Sequence, residues 1–440
     1  MVRDAQGHDL SEANATAARH LDDAIRAFVL VHGDVLAHLK LAHEQSPRAA
    51  MVALTKVWVQ ILSNDGPTLR LAEQALAEAG SLVMNARERA HHDALRMVLD
   101  HGWAQGVAAV DRMLLDYPHD ILAHQSALRL DGFLGRFHRG AARSARALPR
   151  WSKEMPGWGL LRSLYGFGLE ECGDYARAED VSREAAELEP HGYWPHHAVS
   201  HVLEMTDRAR EGITWMDERE ALWSGKDSGN RVHIWWHKAL FHLDIKDGAG
   251  ALGLYDNKVL PDVRLVGTAM CNPTALLWRL EMSGVAAGAR WRPLMEMWQE
   301  RADGHTSPFN DMHYAMTAAA AGDDKAFDGI VSAMEKSAGP RSALGDTYCN
   351  VALPIVRGMG HFRRGQYQDA VDHLLPVCAD LWRMGGSHAQ RDVVEWTLAE
   401  AAVRAGDRNA ALALAYERLA AKPHSAVNQG MLKEAEALAA

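Results

Sequence analysis

Apolar residues recur with a helical period along the chain. In residues 159–190 (GLLRSLYGFGLEECGDYARAEDVSREAAELEP) that period breaks once and resumes. Tyr165, Gly166 and Leu169 share one helical face, and Gly173, Asp174 and Tyr175 read as a turn. Ala178 and Ala185 are small positions on a second helix, and Pro190 closes the unit. Small residues at these places let two antiparallel helices approach closely, and the proline stops the second, which is the tetratricopeptide pattern. The same phase returns with Gly358, Gly365, Tyr367 and Ala370, and again with Gly406, Asp407 and Ala411 ahead of Pro423. Weaker copies lie at 102–118 and 131–149 and around Asp207, Asp247 and Asp323.

Between the copies run short links such as 224–230 (SGKDSGN) and 339–346 (GPRSALGD), rich in turn formers and too short to be flexible interdomain linkers. The pattern predicts an all-α fold: a tetratricopeptide-repeat α-solenoid, a right-handed superhelix of antiparallel helix pairs with no sheet. It predicts a single domain over 1–440, with capping helices at 1–46, repeats at 47–423 and a C-terminal cap at 424–440. Dividing the length by a unit of roughly 34 residues gives about nine or ten pairs.

Composition narrows the functional classes. With 48% hydrophobic and 24% charged residues the chain is too apolar for disorder. A net charge of -10 supplies no basic excess for neutralising phosphates, so nucleic acid is expected not to be a partner. No stretch approaches the roughly 20 apolar residues of a membrane span. The start, MVRDAQGHDLSEAN, lacks the features of a signal peptide, so a cytoplasmic location is expected. Cys172, Cys271, Cys349 and Cys378 show neither zinc-type CxxC spacing nor disulfide density and are expected to be reduced core thiols. Trp235, Trp236, Trp278, Trp382 and Trp396 are expected to fill gaps between helices, with aromatic cavity walls as the alternative for those one turn from a histidine.

The candidate chemistry lies on the inner helices, where residues four apart share a face. In YWPHHAVSHVLEM, His197 and His201 are such a pair; in RVHIWWHKALFHLD, His233 and His237 are another, with His242 turned into the packing. These four histidines are the metal candidates and a divalent ion the candidate cofactor, although zinc takes three or four ligands and a metal-free polar cluster would use the same spacing. Glu170 joins the same surface one turn after Phe167, and FNDMH adds Asn310, Asp311 and His313, with a helix cap as the plain reading of Asp311. In GGSHAQRD, Ser387 and Gln390 form a capping-box pattern, so a helix should start near His388. His388, Arg391, Asp392 and Glu395 then line one stripe near a helix N-terminus, a place that favours an anion. An inter-repeat salt-bridge network would use the same residues.

On RDAQGH, YGFGLEECGDYARAE, HHAVSHVLEM, WWHKALFHL, ALLWRLEMSGV, FNDMH and LWRMGGSHAQRD, the chain resembles the bacterial branch of the tetratricopeptide repeat domain 38 proteins over almost its whole length. The resemblance implies a helical-repeat fold and assigns no reaction. Its motif histidines fall on His197, His201, His237 and His388, and its arginine-aspartate step on Arg391 and Asp392. Asn272 and Pro273 in CNPTALLWRL depart from the small or acidic run at that place in the family.

Two functions follow. In one, a concave cavity lined by His, Asp and Arg binds, and chemically transforms, a small polar or anionic ligand. There His197, His201, His237, His388 and Asp392 are the catalytic candidates, and Arg391, Glu170, Asn310 and Gln390 contact the ligand. In the other, the array is a scaffold for a protein or peptide partner with no catalytic activity. No nucleophile motif, phosphate-binding glycine loop or dinucleotide fingerprint is present, so no reaction class follows.

Overall fold

The computed structural model describes residues 2–64, 66–301, 307–339 and 342–438. Antiparallel helix pairs recur from Ala15–Leu30 with Val35–Gln45 to His388–Ala405 with Arg408–Ala421, and the helix Ala426–Ala437 follows. This is a tetratricopeptide-type helical-repeat architecture. Residues 159–190 form the helices Trp158–Glu170 and Tyr175–Leu188. Their approach needs the glycines the repeat carries: a Cβ on Gly166 would stand 2.2 Å from Ser182 Oγ, and one on Gly168 would stand 2.2 Å from the backbone nitrogen of Ala141. Ala178 and Ala185 are fully buried on the facing helix.

One expectation fails at the N-terminus, where Val2–Arg3 pairs antiparallel with Asp9–Leu10. Asp4 closes this small hairpin by accepting from the Gln6 and His8 amides, and Gly7 turns the chain at φ 87°. Asp4 also meets the buried Arg87 at 2.8 Å, so RDAQGH is a structural clasp.

Where the sequence predicts one array, the chain divides into two compact units, Met1–Val202 with Arg219–Arg231, and Leu203–Glu218 with Val232–Ala440. The divisions near Val202 and Arg231 fall inside the helices Tyr193–Met205 and Arg231–Asp244, so no linker composition marks them. Of the predicted link 339–346, Pro340 and Arg341 lie outside the described residues.

Trp235, Trp236, Trp278 and Trp396 are buried as expected, whereas Trp382 is 40% exposed. None of the four cysteines is disulfide-bonded, but only Cys271 is a core thiol; Cys172 and Cys349 are exposed and Cys378 is half-buried. Among the described residues no helix is long and apolar enough to cross a membrane.

Candidate functional site

In the first unit the helix Trp158–Glu170 brings its last carboxylate to His201 on the helix Tyr193–Met205. Glu170 Oε2 lies 3.3 Å from His201 Nδ1, and His201 Nε2 lies 3.0 Å from His197 Nε2. All three side chains are buried. Phe167 packs against both rings at 4.8 and 5.4 Å between centroids, and Tyr193 stacks on His197 at 4.7 Å. His201 Nδ1 thus faces the carboxylate at ion-pair distance, and the two Nε2 atoms share one hydrogen bond in which one ring donates and the other accepts.

The second unit repeats the arrangement one repeat later, with an added acceptor. Glu204 Oε2 lies 3.2 Å from His237 Nδ1, His237 Nε2 lies 3.2 Å from His233 Nε2, and His233 Nδ1 lies 2.6 Å from Asn272 Oδ1. Asn272 Nδ2–H donates to the Ala269 carbonyl at 2.9 Å, which turns the amide oxygen toward His233. The departure from the family pattern at Asn272 is therefore part of the site. Both Nδ1 atoms face acceptors, so both carry protons, and the two Nε2 atoms face one another.

Glu204 also links this pair to the far repeats of its unit. Lys422 Nζ lies 3.2 Å from Glu204 Oε1, and the His424 amide donates to Asp207 at 2.8 Å. Asp392 lies between Arg418 at 2.8 Å and Arg279 at 3.6 Å. Burial opposes ionisation of Asp392, but Arg418, Arg279 and Lys422 outweigh it and hold the carboxyl below its usual range. Burial likewise opposes the charge on Lys422, and Glu204, Asp244 and Asp392 more than restore it. Asp244 goes the other way: burial, with Glu204 and Asp392 nearby, pushes it up to about 7.

Beside this network a cavity of about 430 Å³ opens between the end of the Tyr193–Met205 helix and the helices His388–Ala405 and Arg408–Ala421. His388, Asp392, Glu395, Glu417, Arg418 and Lys422 face it together with Glu204, and Met205, Leu375, Leu398 and Leu414 supply apolar wall. Its two cations already bond lining carboxylates, Arg418 to Asp392 and Lys422 to Glu204. Glu395 reaches cavity solvent, and burial by the surrounding protein together with Asp392 raises its pKa. Neither Glu395 nor Glu417 has a hydrogen bond or ion pair among the described residues.

The GGSHAQRD expectations divide accordingly. The helix starts at His388 with a complete Ser387–Gln390 capping box, and His388 and Asp392 face the cavity. Gln390 is engaged in the cap, and the Arg391 guanidinium donates to the Gly386 carbonyl of its own loop. Arg391 does not line the cavity, and Asp392 is held by Arg418 and Arg279 instead of positioning Arg391 or His388. The part of the anion preference that rested on Arg391 is therefore corrected. Asn310 packs against Gly267 and accepts from Cys271 Sγ at 3.6 Å, away from the cavity. Asp311 is no cap: Ser307 precedes the helix, and Asp311 accepts from Tyr348 Oη. Sequence reasoning missed Glu204, Arg279, Arg418 and Lys422, whose roles arise from contacts spanning up to 218 residues. The one available signal was that Glu204 follows His201 on the same helical face.

No family model matches the chain. It is similar in coarse helical-repeat architecture to solved structures of IFIT1. The human IFIT1 dimer with PPP-AAAA has 14% identity and a TM-score of 0.43, over 98% of this chain and 96% of that one. The human dimer with m7Gppp-AAAA has 14% identity and 0.44, over 96% and 95%. A monomeric IFIT1 mutant with Gppp-AAAA has 14% identity and 0.44, over 97% and 96%. These neighbours, solved with PPP-AAAA and capped AAAA, correct the expectation that nucleic acid is excluded as a partner. The physical reason is that net charge is a whole-chain sum, which does not describe how charge is distributed over the surface.

Proposed function

We propose that the chain, a helical-repeat protein of the tetratricopeptide repeat domain 38 kind that it resembles, binds a small polar ligand bearing an ammonium group in the cavity of its second unit. The observation that carries this reading is the charge balance of the cavity wall. Four carboxylates face two cations, both cations are bonded to carboxylates, and Glu395 and Glu417 remain for a ligand cation. The volume is within the roughly 300–1,000 Å³ of small-molecule sites, and the leucines and Met205 suit an alkyl portion.

The test is thermal stabilisation by probes sharing one carbon skeleton: hexylamine, 6-aminohexanoate and hexanoate. Stabilisation by the two amines that is lost in Glu395→Gln/Glu417→Gln supports the reading. Stabilisation by hexanoate alone overturns it.

A further inference from the structure

We propose that His233 and His237 bind a divalent first-row metal ion, of which zinc is the practical probe, through their Nε2 atoms. This is independent of which ligand the cavity takes. The pair stands one turn apart on the helix Arg231–Asp244, both rings are buried, and the Nε2 atoms are 3.2 Å apart. Hydrogen bonds running outward fix both rings. Asn272 Oδ1, its orientation set by the Ala269 carbonyl, takes the proton of His233 Nδ1, and Glu204 takes that of His237 Nδ1.

With both Nδ1 atoms held outward, the two Nε2 atoms meet at one place. Metal-ligating histidines carry this same feature, an Nδ1–H held by a carboxylate or carbonyl oxygen while Nε2 binds the ion. Imidazole nitrogen suits zinc and its first-row neighbours over calcium or magnesium. Trp236 stacks on His233 at 5.1 Å and lies edge-on to His237 at 4.8 Å, which limits rotation of the two rings away from this arrangement. Two imidazoles fill two of the four positions zinc takes, leaving the others to water or a further donor.

The intact chain is stripped with a chelator and titrated with zinc, read by thermal stabilisation, and with cobalt(II), whose visible absorption reports nitrogen ligation. Uptake with a rise in Tm, and a cobalt spectrum that changes in His237→Ala, is the expected result. Asn272→Ala keeps both ligands and should weaken uptake by about 10- to 100-fold. It also covers the case in which His237→Ala fails to fold. Absence of uptake by the intact chain overturns the proposal, as does uptake that neither variant alters; a shared proton then occupies the pair.

Discussion

The two units carry the same local device in different surroundings. In the first, Glu170 faces His201, and His201 shares a hydrogen bond with His197, enclosed by Phe167 and Tyr193. In the second, Asn272 adds an acceptor at the far end, and Glu204 is shared with Lys422 from the last repeats. One added amide and one added ammonium distinguish the second pair, whose Glu204 borders an open cavity. A His-x-x-x-His pair therefore has no fixed chemistry of its own; what faces its Nδ1 atoms decides.

The largest expected difference comes from neutralising the carboxylates one at a time. Glu204→Gln breaks the buried ion pair with Lys422 and removes the carboxylate facing His237, and should destabilise the second unit by about 3–5 kcal/mol. Glu170→Gln keeps an oxygen facing His201 and should destabilise the first unit by about 1 kcal/mol. Denaturant unfolding of the two variants checks this; equal losses would remove the distinction between the units.

Arginines within the second unit sharpen the point. Arg418→Ala deprives Asp392 of its 2.8 Å partner and Asn428 of a donor at 3.0 Å, and should lower stability by about 2–4 kcal/mol. Arg391→Ala removes a bond to a loop carbonyl and should lower it by about 1 kcal/mol or less, with ligand binding retained. A loss of ligand binding in Arg391→Ala at full stability would restore the sequence-based assignment.

Acid separates the units more gently. Burial pushes His124 and His196 of the first unit down to about 4 from 6.5, against hydrogen bonds to the Pro118 and Pro190 carbonyls. At these two sites the unfolded chain binds more protons between pH 6.5 and 4, which lowers the first unit's stability as pH falls through that window, partly offset by Asp22, which burial raises to about 6. Asp244 is raised from 3.8 to about 7, so the folded second unit binds the extra proton and gains stability as pH falls from 7 toward 4. His313, pushed down to about 4 by burial, opposes that gain. Hydrogen exchange followed unit by unit from pH 7 to 5 should show protection falling further in the first unit, by on the order of 1–3 kcal/mol. Asp244→Asn should remove the second unit's compensation.

Features set by neighbours in the chain were legible in the sequence. The repeat phase, the capping box before His388 and the four-residue histidine spacing all lie within one or two helical turns or one repeat. Glu170 was legible because it sits on the inner face of the clearest unit. Glu204, Arg279, Arg418 and Lys422 were not, since an acid or base on a helix reads as solvated until a distant repeat covers it. Arg391 looked functional for the converse reason: a guanidinium near a helix N-terminus suggests an anion, yet its own loop carbonyl takes it. The division into two units had no compositional mark because it falls inside two helices.

The most direct test of the central claim is calorimetric titration of the intact chain with hexylamine across the carboxylate range, beside Glu395→Gln/Glu417→Gln. Glu395 is raised by burial and Asp392, so an ammonium placed against it should expel its proton. Affinity should accordingly tighten as pH rises through the titration of Glu395, with proton release, and the double variant should lose about 10-fold or more in affinity, or about 1.4 kcal/mol. Binding that is independent of pH and unchanged in the double variant, or a cavity that takes hexanoate in preference to hexylamine, would contradict it.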